Sequence, residues 1–205
     1  MQAPVIRLGL IGTGTFANRF HFPAICQLRD NPAEPVRCQV SGVWDIDQPA
    51  ASRACQRFGF PPPVAELDAL LENPSVDAFV VIVGPAHVFG MLKRVGTTGK
   101  PFFTEKPPGQ NAREARLLAE SLPAPNLVAF NRRYAPLNVQ FRERLLAFGR
   151  PYRVQGRFYR HARRESSFLR HTGIHGLNFL EWLCGPIERQ ETRVLAHPAD
   201  GSRAW

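Results

Sequence analysis

The sequence predicts an α/β protein: a doubly wound parallel sheet of Rossmann type, followed by an incomplete α/β domain. Over the first 130 residues, short β-branched runs alternate with longer amphipathic stretches, the pattern of parallel strands joined by crossover helices. A glycine-rich loop separates the first strand from the first helix. The apolar run "AFVVIV" fits a strand that is buried on both faces. We predict two domains, at residues 1–125 and 126–205.

The elements of the first domain follow in order from their hydrophobic periodicity. Strands are predicted at residues 5–12, 38–47, 76–84, 100–106 and 126–134. Helices are predicted at residues 15–29, 49–59, 64–73, 86–99 and 111–122. The first helix has apolar residues at helical intervals, at Phe16, Phe20, Ala24 and Leu28. Gly59 is the expected end of the second helix.

The second domain contains fewer elements. We predict a helix at 134–149, a half-buried strand at 150–162, a helix at 172–184 with Gly185 beyond its end, a strand at 188–198 and a turn at 199–205. We expect Leu137, Phe141 and Leu145 on one face of the helix at 134–149. We expect Tyr152, Val154 and Phe158 on one face of the half-buried strand. Two helices and two strands make a poor independent domain, so we expect this part to lean on the first domain or on another copy.

Composition narrows the class of protein. The four cysteines, Cys26, Cys38, Cys55 and Cys184, form no CxxC pair and have no metal-ligand spacing, so we expect buried free thiols. The longest apolar run is far shorter than the ~20 residues of a membrane span. The N-terminus reads as a strand rather than a signal peptide. We therefore expect a cytoplasmic protein that does not enter the membrane.

The net charge of +9 is concentrated in residues 132–170, which hold 11 basic and 2 acidic side chains. Such a stretch attracts acidic substrates, acidic partners or nucleic acid, and a solvated arginine-rich face explains it equally well. Nucleic-acid binding is disfavoured, because the interleaved aromatic residues alternate as core-facing positions rather than as a stacking platform. We expect a small-molecule substrate as the partner. In one version of the hypothesis the substrate is acidic and is attracted by Arg132, Arg157 or Arg160.

The loop "GLIGTGTFA" has a GxGxxA pattern formed by Gly12, Gly14 and Ala17. The first glycine permits a tight turn, the second lets a pyrophosphate approach the backbone, and the alanine lets the helix pack on the strand. The following helix N-terminus attracts phosphate charge. The sequence therefore predicts a dinucleotide site, to which we also assign the neighbouring residues Thr13, Thr15 and Phe16.

Asp45, at the end of the second strand, supplies the carboxylate expected to bind a ribose hydroxyl. It lies farther along the chain than the usual ~20 residues after the glycines, and the loop "RDNPAEPVR" accounts for the difference. A carboxylate there repels a 2′-phosphate, so we predict NAD as the coenzyme and keep NADP as the alternative. The alternative interpretation of Asp45 is a surface aspartate in a strand-end turn.

The chain resembles the Gfo/Idh/MocA oxidoreductases, the family of glucose-fructose oxidoreductase and inositol dehydrogenase. The segments "GLIGTGTFA", "IVGPAH", "KPFFTEKPP", "AFNRRY" and "GIHGLNFLEWLCG" carry the resemblance in the family's order. It implies a Rossmann domain followed by a domain with a large open sheet. It also implies hydride transfer between C4 of a nicotinamide and a sugar, a polyol, a related carbonyl or alcohol, or an imine.

The resemblance also implies roles for individual residues. Glu105, Lys106 and Pro107 match the segment that faces the nicotinamide, and Lys106 would bind the substrate oxygen. A lysine exchanges a proton there more readily than an arginine does. His175 matches the family's general base. By resemblance we also assign Gly84, Pro85, His87 and Asn131 to the coenzyme site. We assign Arg132 and Asn178 to the substrate site, together with Lys106, His171 and His175.

Departures from the family pattern open an alternative. His171 stands where an aspartate is common, and Asn178 where another acid is common, so the candidate site has lost two carboxylates. Gly84, Ala86 and Phe89 also stand in place of more polar residues. We keep His171 as a catalytic helper, and we keep a catalytically impaired relative that binds a dinucleotide or assembles with a partner as the second hypothesis. His171 and His175 have the i, i+4 spacing of two metal ligands, but lacking an evident third ligand we predict no metal.

The chain is shorter than typical members of the family, so we expect a C-terminally shortened member. The missing region is the part that completes the open sheet and the substrate pocket. Unpaired strand edges are a liability that a second chain removes. We therefore predict a homo-oligomer, or a partner subunit that completes the C-terminal sheet.

Overall fold

A computed structural model describes residues 4–122, 125–149, 151–157, 167–189, 191, 195–196 and 203–204. The chain divides into two compact units, Met1–Ala129 and Phe130–Trp205. Among the described residues, no helix combines the length and apolar character that crossing a bilayer requires.

The first unit contains a five-stranded parallel sheet. Its strands are β1 Val5–Ile11, β2 Arg37–Trp44, β3 Ala78–Val81, β4 Phe102–Thr104 and β5 Asn126–Val128. The strand order is β2-β1-β3-β4-β5, and every neighbouring pair is parallel. The order reverses at β1, so the crevice at the carboxyl ends of β1 and β3 is where a doubly wound sheet binds its ligand. The predicted fold class is confirmed.

Helices cover both faces of this sheet. They are α1 Phe22–Asp30, α2 Gln48–Phe58, α3 Leu67–Leu71, α4 Pro85–Gly96 and α5 Ala112–Ser121. Successive residues of a strand point to opposite faces. Leu10 accordingly belongs to one buried cluster with Phe22, and Ile11 to a second cluster with Phe79 and Leu92. The core therefore lies in two layers, one on each side of the sheet.

The first helix begins with a π-helical turn, Ala17–His21, and this turn overturns the predicted apolar face. The N–H of Phe22 donates to the carbonyl of Ala17, five residues back. The extra residue shifts the helix phase, so Ala17 and Phe22 are both fully buried. The predicted stripe is exposed instead, at Phe16, Phe20, Ala24 and Leu28. A period of 3.6 residues cannot reveal such an insertion.

The observed ends of the second helix and of the fifth strand can be compared with the predicted ends. The second helix ends at Gly59, which has the left-handed φ of 65° as expected. The predicted fifth strand is too long, because β5 ends at Val128 and residues Asn131–Tyr134 form a 3₁₀ turn. That turn belongs to the second unit.

The second unit has α6 Pro136–Phe148, a π-helical turn Leu169–Gly173, α7 Ile174–Cys184 and the antiparallel strands β6 Leu195–Ala196 and β7 Arg203–Ala204. Both helices were predicted. β6 lies inside the last predicted strand, residues 188–198, of which residues 188, 189 and 191 form no strand and the others apart from β6 lie outside the described residues. β7 falls inside the predicted final turn, which is therefore wrong at its end.

Two further predictions in the second unit are wrong. Residues 151–157 form no strand, and Tyr152 is fully exposed. Phe158 and the rest of that predicted strand lie outside the described residues. The stripe on α6 is not buried, since Leu137 is 77% exposed and Phe141 is 51% exposed. Amphipathic patterns locate a helix but not the layer that covers it.

The cysteines are free thiols, but their burial differs from the prediction. Cys38 and Cys55 are buried, Cys26 is half-buried and Cys184 is exposed. Burial raises the pKa of the thiols of Cys38 and Cys55. These two groups behave as small apolar core residues.

Candidate coenzyme and active site

The glycine loop follows β1 at the carboxyl edge of the sheet. Gly12 has a φ of 95°, and a Cβ added to it would lie 2.2 Å from the carbonyl oxygen of Ile82. Its N–H donates to the carbonyl of Trp44 at 2.9 Å, which ties the loop to the end of β2. A side chain at this position would separate the loop from β3, so the chain requires glycine here.

Gly14 has the opposite environment. A Cβ added to it meets no atom within 4 Å. The backbone of Gly14 therefore faces open space at the start of the helix that includes Thr15 and Phe16. A phosphate group can approach such a backbone closely, next to the partial positive charge of a helix N-terminus.

Asp45 lies directly against the glycine loop. Its Oδ2 atom accepts from the backbone N–H of Thr13 at 2.5 Å and from the Thr13 hydroxyl at 2.8 Å. Its Oδ1 atom accepts from the backbone N–H of Asp47 at 2.9 Å. The carboxylate is therefore oriented beside the loop, where a dinucleotide site needs a ribose-binding group. These residues fit a dinucleotide.

Asn18, which the sequence analysis missed, closes the loop from the helix side. Its side-chain amide donates to the carbonyl of Thr13 at 2.5 Å and to that of Gly14 at 3.1 Å. An asparagine one turn after the second glycine is the signal that could have identified it, because such side chains commonly bond nearby backbone groups. The loop is held on one side by Asp45 and on the other by Asn18.

Glu105 and Lys106 follow β4 at the same carboxyl edge. The buried Thr104 hydroxyl donates to the carbonyl of Val81 at 3.1 Å, which anchors the end of β4 to β3. The backbone N–H of Lys106 donates to Glu105 Oε2 at 3.1 Å. Lys106 is half-buried, and the buried Pro107 follows it through a cis peptide bond. The segment is thus fixed to the rigid sheet.

His21, also missed by the sequence analysis, is the partner of Glu105. Its Nε2 atom donates to Glu105 Oε1 at 2.9 Å, and the two side chains are only 18% and 19% exposed. His21 is the last residue of the π-helical turn. π-Helical turns are frequent at functional sites, but a 3.6-residue period does not predict them.

The predicted coenzyme residues after β3 lie at the same edge of the sheet. The N–H of Ile82 donates to the carbonyl of Ile11 at 2.8 Å, so β3 ends beside β1. Gly84 precedes the first residue of α4, Pro85, and the N–H of His87 donates to the Gly84 carbonyl at 2.9 Å. Residues 84–87 are exposed, so they are accessible to a ligand.

The remaining candidates lie in the second unit. His175 and Asn178 are on α7, and His171 is inside the preceding π-helical turn. The ring of His175 is edge-on to Phe130 with centroids 6.5 Å apart. Arg133 Nε donates to Asn178 Oδ1 at 2.7 Å. Arg133 was not predicted to belong to the site, and it gives Asn178 a cationic partner.

Two other predicted residues of this unit are Asn131 and Arg132, in the 3₁₀ turn. Arg132 and Arg157 line a cleft of about 510 Å³ together with Asn138, Gln155 and apolar residues of α6 and α7. Arg160, which was also predicted to attract an acidic substrate, lies outside the described residues. Arg170 Nε donates to His171 Nε2 at 3.3 Å. Within the described part of the chain, no group of three His, Cys, Asp or Glu residues could hold a metal ion.

Comparison with known proteins identifies the family. Residues 6–130 match the model of the Gfo/Idh/MocA oxidoreductase family, described as having an NAD-binding Rossmann fold. This match covers more than half of the chain, and the chain belongs to that family. The predicted resemblance is confirmed, and so is the prediction of an NAD-binding domain.

Individual relatives agree. An inositol 2-dehydrogenase/D-chiro-inositol 3-dehydrogenase of Lacticaseibacillus casei is 37% identical over 105 residues, which are 50% of this chain and 28% of the relative. A scyllo-inositol 2-dehydrogenase (NAD+) of Bacillus subtilis is 28% identical over 129 residues, covering 57% of this chain and 37% of the relative. The chain therefore spans less than half the length of these relatives.

A solved structure has the same fold. Levoglucosan dehydrogenase, in complex with NADH and levoglucosan, superposes with a TM-score of 0.70 at 19% sequence identity, covering 88% of this chain and 54% of that one. At this identity the likeness establishes the fold alone. Its length again exceeds that of this chain.

Proposed function

We propose that this chain is an NAD-dependent oxidoreductase that acts on a polyol, a sugar or a related carbonyl compound. The observation that carries the proposal is the carboxyl edge of the sheet, where the glycine loop, Asp45 and the Glu105-Lys106 segment are all fixed by hydrogen bonds to the scaffold. Rigid placement of a binding loop and an ionisable amine is what hydride-transfer chemistry asks of a protein.

The glycine loop would bind the pyrophosphate of NAD, and Asp45 would bind a ribose hydroxyl. NAD supplies the hydride acceptor or donor when bound. A carboxylate held by three hydrogen bonds at the loop disfavours a 2′-phosphate, which supports NAD over NADP. The relatives include an inositol dehydrogenase named for NAD+.

Lys106 would bind the substrate oxygen and stabilise negative charge on it. His175 would take the hydroxyl proton during oxidation and return it during reduction. His171 would assist His175, and Asn178, oriented by Arg133, would contact the substrate together with Arg132. These roles rest on the family motifs that the residues match.

The substrate class follows from the relatives rather than from a pocket. Two of them are inositol dehydrogenases, so cyclic polyols are the first compounds to test. The cleft that Arg132 and Arg157 line adds acidic sugars to the panel, because guanidinium groups bind carboxylates well. The non-catalytic alternative is not favoured, since these relatives are named as dehydrogenases.

The test is a steady-state assay of NAD+ reduction, followed at the nicotinamide absorbance band with inositols, other polyols and sugar acids. We expect turnover with at least one of them. Lys106→Met and His175→Phe should each lower kcat at least ~100-fold, the typical contribution of acid-base groups. Lys93→Met is the matched control, because Lys93 is exposed on α4. Equal activity in all three variants would contradict the assigned roles.

We also propose a cytoplasmic homo-oligomer, or an assembly with another subunit, in which a second chain covers the exposed faces of the second unit. The support is the exposure of Leu137, Phe141 and Phe148 on α6. Light scattering coupled to size-exclusion chromatography would measure the mass. A monodisperse monomer at micromolar concentration would contradict self-association.

A further inference from the structure

We propose that Arg133 is a specificity-determining residue that binds a carboxylate of the substrate, so that the preferred substrates are polyols or sugars that carry a carboxylate. This inference rests on the proposed function, in which His175 exchanges the hydroxyl proton. It deepens that function by assigning the negative charge of the substrate to one guanidinium of the second unit.

The partner of Arg133 on α7 is uncharged. Arg133 Nε donates to Asn178 Oδ1 at 2.7 Å. An amide oxygen accepts this hydrogen bond without neutralising the guanidinium, which stays protonated in proteins. Among the described residues, no carboxylate lies within salt-bridge distance of Arg133. The hydrogen bond therefore holds the side chain in place, while its positive charge and its two Nη atoms are left for another acceptor.

The surroundings of Arg133 favour an anion beside it. The residue is half-buried, and a charge that is partly removed from water gains more from an opposite charge than an exposed one does. Residues 132–170 hold 11 basic and 2 acidic side chains, so this stretch offers few carboxylates of its own. A bound anion supplies the counter-ion that the described residues do not place beside Arg133.

Arg133 and the candidate base lie against the same aromatic ring. The Cζ atom of Arg133 lies 5.9 Å from the centroid of the Phe130 ring. The His175 ring is edge-on to Phe130, with centroids 6.5 Å apart. Asn178 follows His175 by three residues on α7, so these two side chains share a helix face. An anion held by Arg133 is therefore bound near the residue that exchanges the proton.

The chemistry of the guanidinium favours a carboxylate among the possible anions. A planar guanidinium binds a planar carboxylate through two parallel N–H···O hydrogen bonds. Because Nε is engaged by Asn178, the two Nη atoms form the edge that remains for such a contact. A carboxylate balances the single positive charge of Arg133, whereas a phosphate monoester carries about two negative charges at neutral pH.

The experiment is isothermal titration calorimetry of the full chain, with and without NADH, using ligands in matched pairs. The pairs are D-gluconate with D-glucitol, D-glucuronate with D-glucose, and D-galacturonate with D-galactose, and the members of each pair differ at the carbon that carries the carboxylate. We expect at least one acid to bind the wild-type protein at least about tenfold more tightly than its neutral partner does.

Substitutions then assign this preference to Arg133. Arg133→Gln removes the charge but keeps a donor for Asn178, and it should reduce the preference to less than about twofold. Asn178→Asp supplies an internal counter-ion and should reduce the preference at least about fivefold. Arg142→Gln is the matched control and should leave it unchanged. Arg142 is also half-buried, but its Nε donates to the carbonyl of Trp182 at 3.0 Å and its Cζ lies 5.0 Å from the centroid of that ring.

Circular dichroism and thermal unfolding show which variants fold. If Arg133→Gln does not fold, Asn178→Asp decides, because it keeps the arginine and gives it an ionic partner. Equal affinities for every acid and its neutral partner, or an acid preference that persists in a folded Arg133→Gln or Asn178→Asp protein, would overturn the proposal. Tighter binding of D-glucose 6-phosphate than of every carboxylate would overturn it as well.

Turnover of NAD+ with the same ligands separates this inference from the proposed function. If an acid binds through Arg133 as described but no ligand reduces NAD+, the proposed function fails and the specificity role stands. If a neutral polyol reduces NAD+ and no acid binds more tightly than its neutral partner, the specificity role fails alone.

Discussion

The two units of the chain differ in how much apolar surface they bury. Among the described residues, the buried apolar side chains lie in the first unit, with Leu183 of α7 as the exception. In the second unit, Leu137, Phe141 and Phe148 of α6 are exposed instead. The first unit therefore contains its own core, whereas the described part of the second unit presents helix faces that have no covering layer.

The histidines of the two π-helical turns also differ in their surroundings. In the first unit, the turn ends at His21, whose ring lies between aromatic rings and bonds a largely buried carboxylate. In the second unit, the turn contains His171, which accepts a hydrogen bond from Arg170, an exposed residue. A functional group is positioned more firmly by a buried network than by an exposed one.

The largest expected effect is a difference in stability between the two units when a large aromatic side chain is truncated to alanine. Phe22→Ala removes a fully buried ring and should cost about 3–5 kcal/mol in the free energy of unfolding. Phe148→Ala removes a ring that is 94% exposed and should change stability by less than about 0.5 kcal/mol. Urea unfolding of both variants measures the difference. Equal costs would mean that a partner chain covers α6 in solution.

The next effect is confined to the glycine loop. Gly12→Ala forces a side chain into a left-handed backbone and against the carbonyl oxygen of Ile82, so we expect a loss of at least about 3 kcal/mol. Gly99→Ala is the matched control. Gly99 also has a positive φ, of 67°, but no atom lies within 4 Å of the added Cβ, so its cost should be about 1 kcal/mol. Thermal unfolding would show a similar loss for both if the close approach to β3 were unimportant.

The sequence predicted the first unit well because each of its signals is local. A strand, a glycine loop and a helix follow one another within residues 5–30, and Asp45 comes at the end of the next strand. The place of Asp45 at the end of the second strand was enough to predict a carboxylate near the loop, although the spacing from the glycines is longer than usual, and the structure joins it to Thr13. Parallel pairing of β1 with β2 supplied the rest.

The sequence did not predict His21 or Arg133, because each acts through a residue far away in sequence. His21 meets Glu105 only after β4 pairs beside β3, and Arg133 meets Asn178 only when the second unit folds. The π-helical turns were also missed, since an inserted residue changes the helix phase without changing the composition. The strand predicted over residues 150–162 is wrong at residues 151–157, because the alternating segment there has no neighbouring strand to pair with in the described chain.

A smaller effect concerns coenzyme choice. Asp45→Asn keeps the size of the side chain and removes its charge, so we expect about a tenfold loss in NAD+ affinity, equivalent to about 1.4 kcal/mol. The affinity for NADP+ should fall less or rise, because the repulsion of a 2′-phosphate disappears. Parallel titrations with both coenzymes measure the ratio. An unchanged ratio would show that Asp45 does not face the ribose.

The smallest effect is a pH dependence of stability at the edge of the sheet. Arg7, which donates two side-chain hydrogen bonds and one backbone hydrogen bond to Asp77, lowers the pKa of Asp77 from 3.8 to about 2. A carboxyl whose folded pKa is depressed contributes stability that is present above pH 3.8 and is lost as the pH falls toward 2. Both side chains are well exposed, so the contribution is small.

Asp77→Asn should therefore flatten the dependence of the unfolding midpoint on pH between pH 4 and pH 2. Asp30→Asn is the control. Asp30 also bonds an arginine, Arg29, but that residue is its immediate neighbour in sequence. A local pair of this kind persists more easily in the unfolded chain, so its removal should change the slope less. Identical slopes in wild type and Asp77→Asn would contradict the assignment.

The central claim is that the first unit binds a nicotinamide dinucleotide through the open backbone at Gly14, and isothermal titration of NADH tests it most directly. We expect saturable one-to-one binding to the wild-type protein. In Gly14→Ala, whose added methyl meets no protein atom within 4 Å, we expect an unchanged melting temperature and an affinity at least about tenfold weaker. Absence of heat with the wild-type protein, or equal affinity in a folded Gly14→Ala protein, would contradict it.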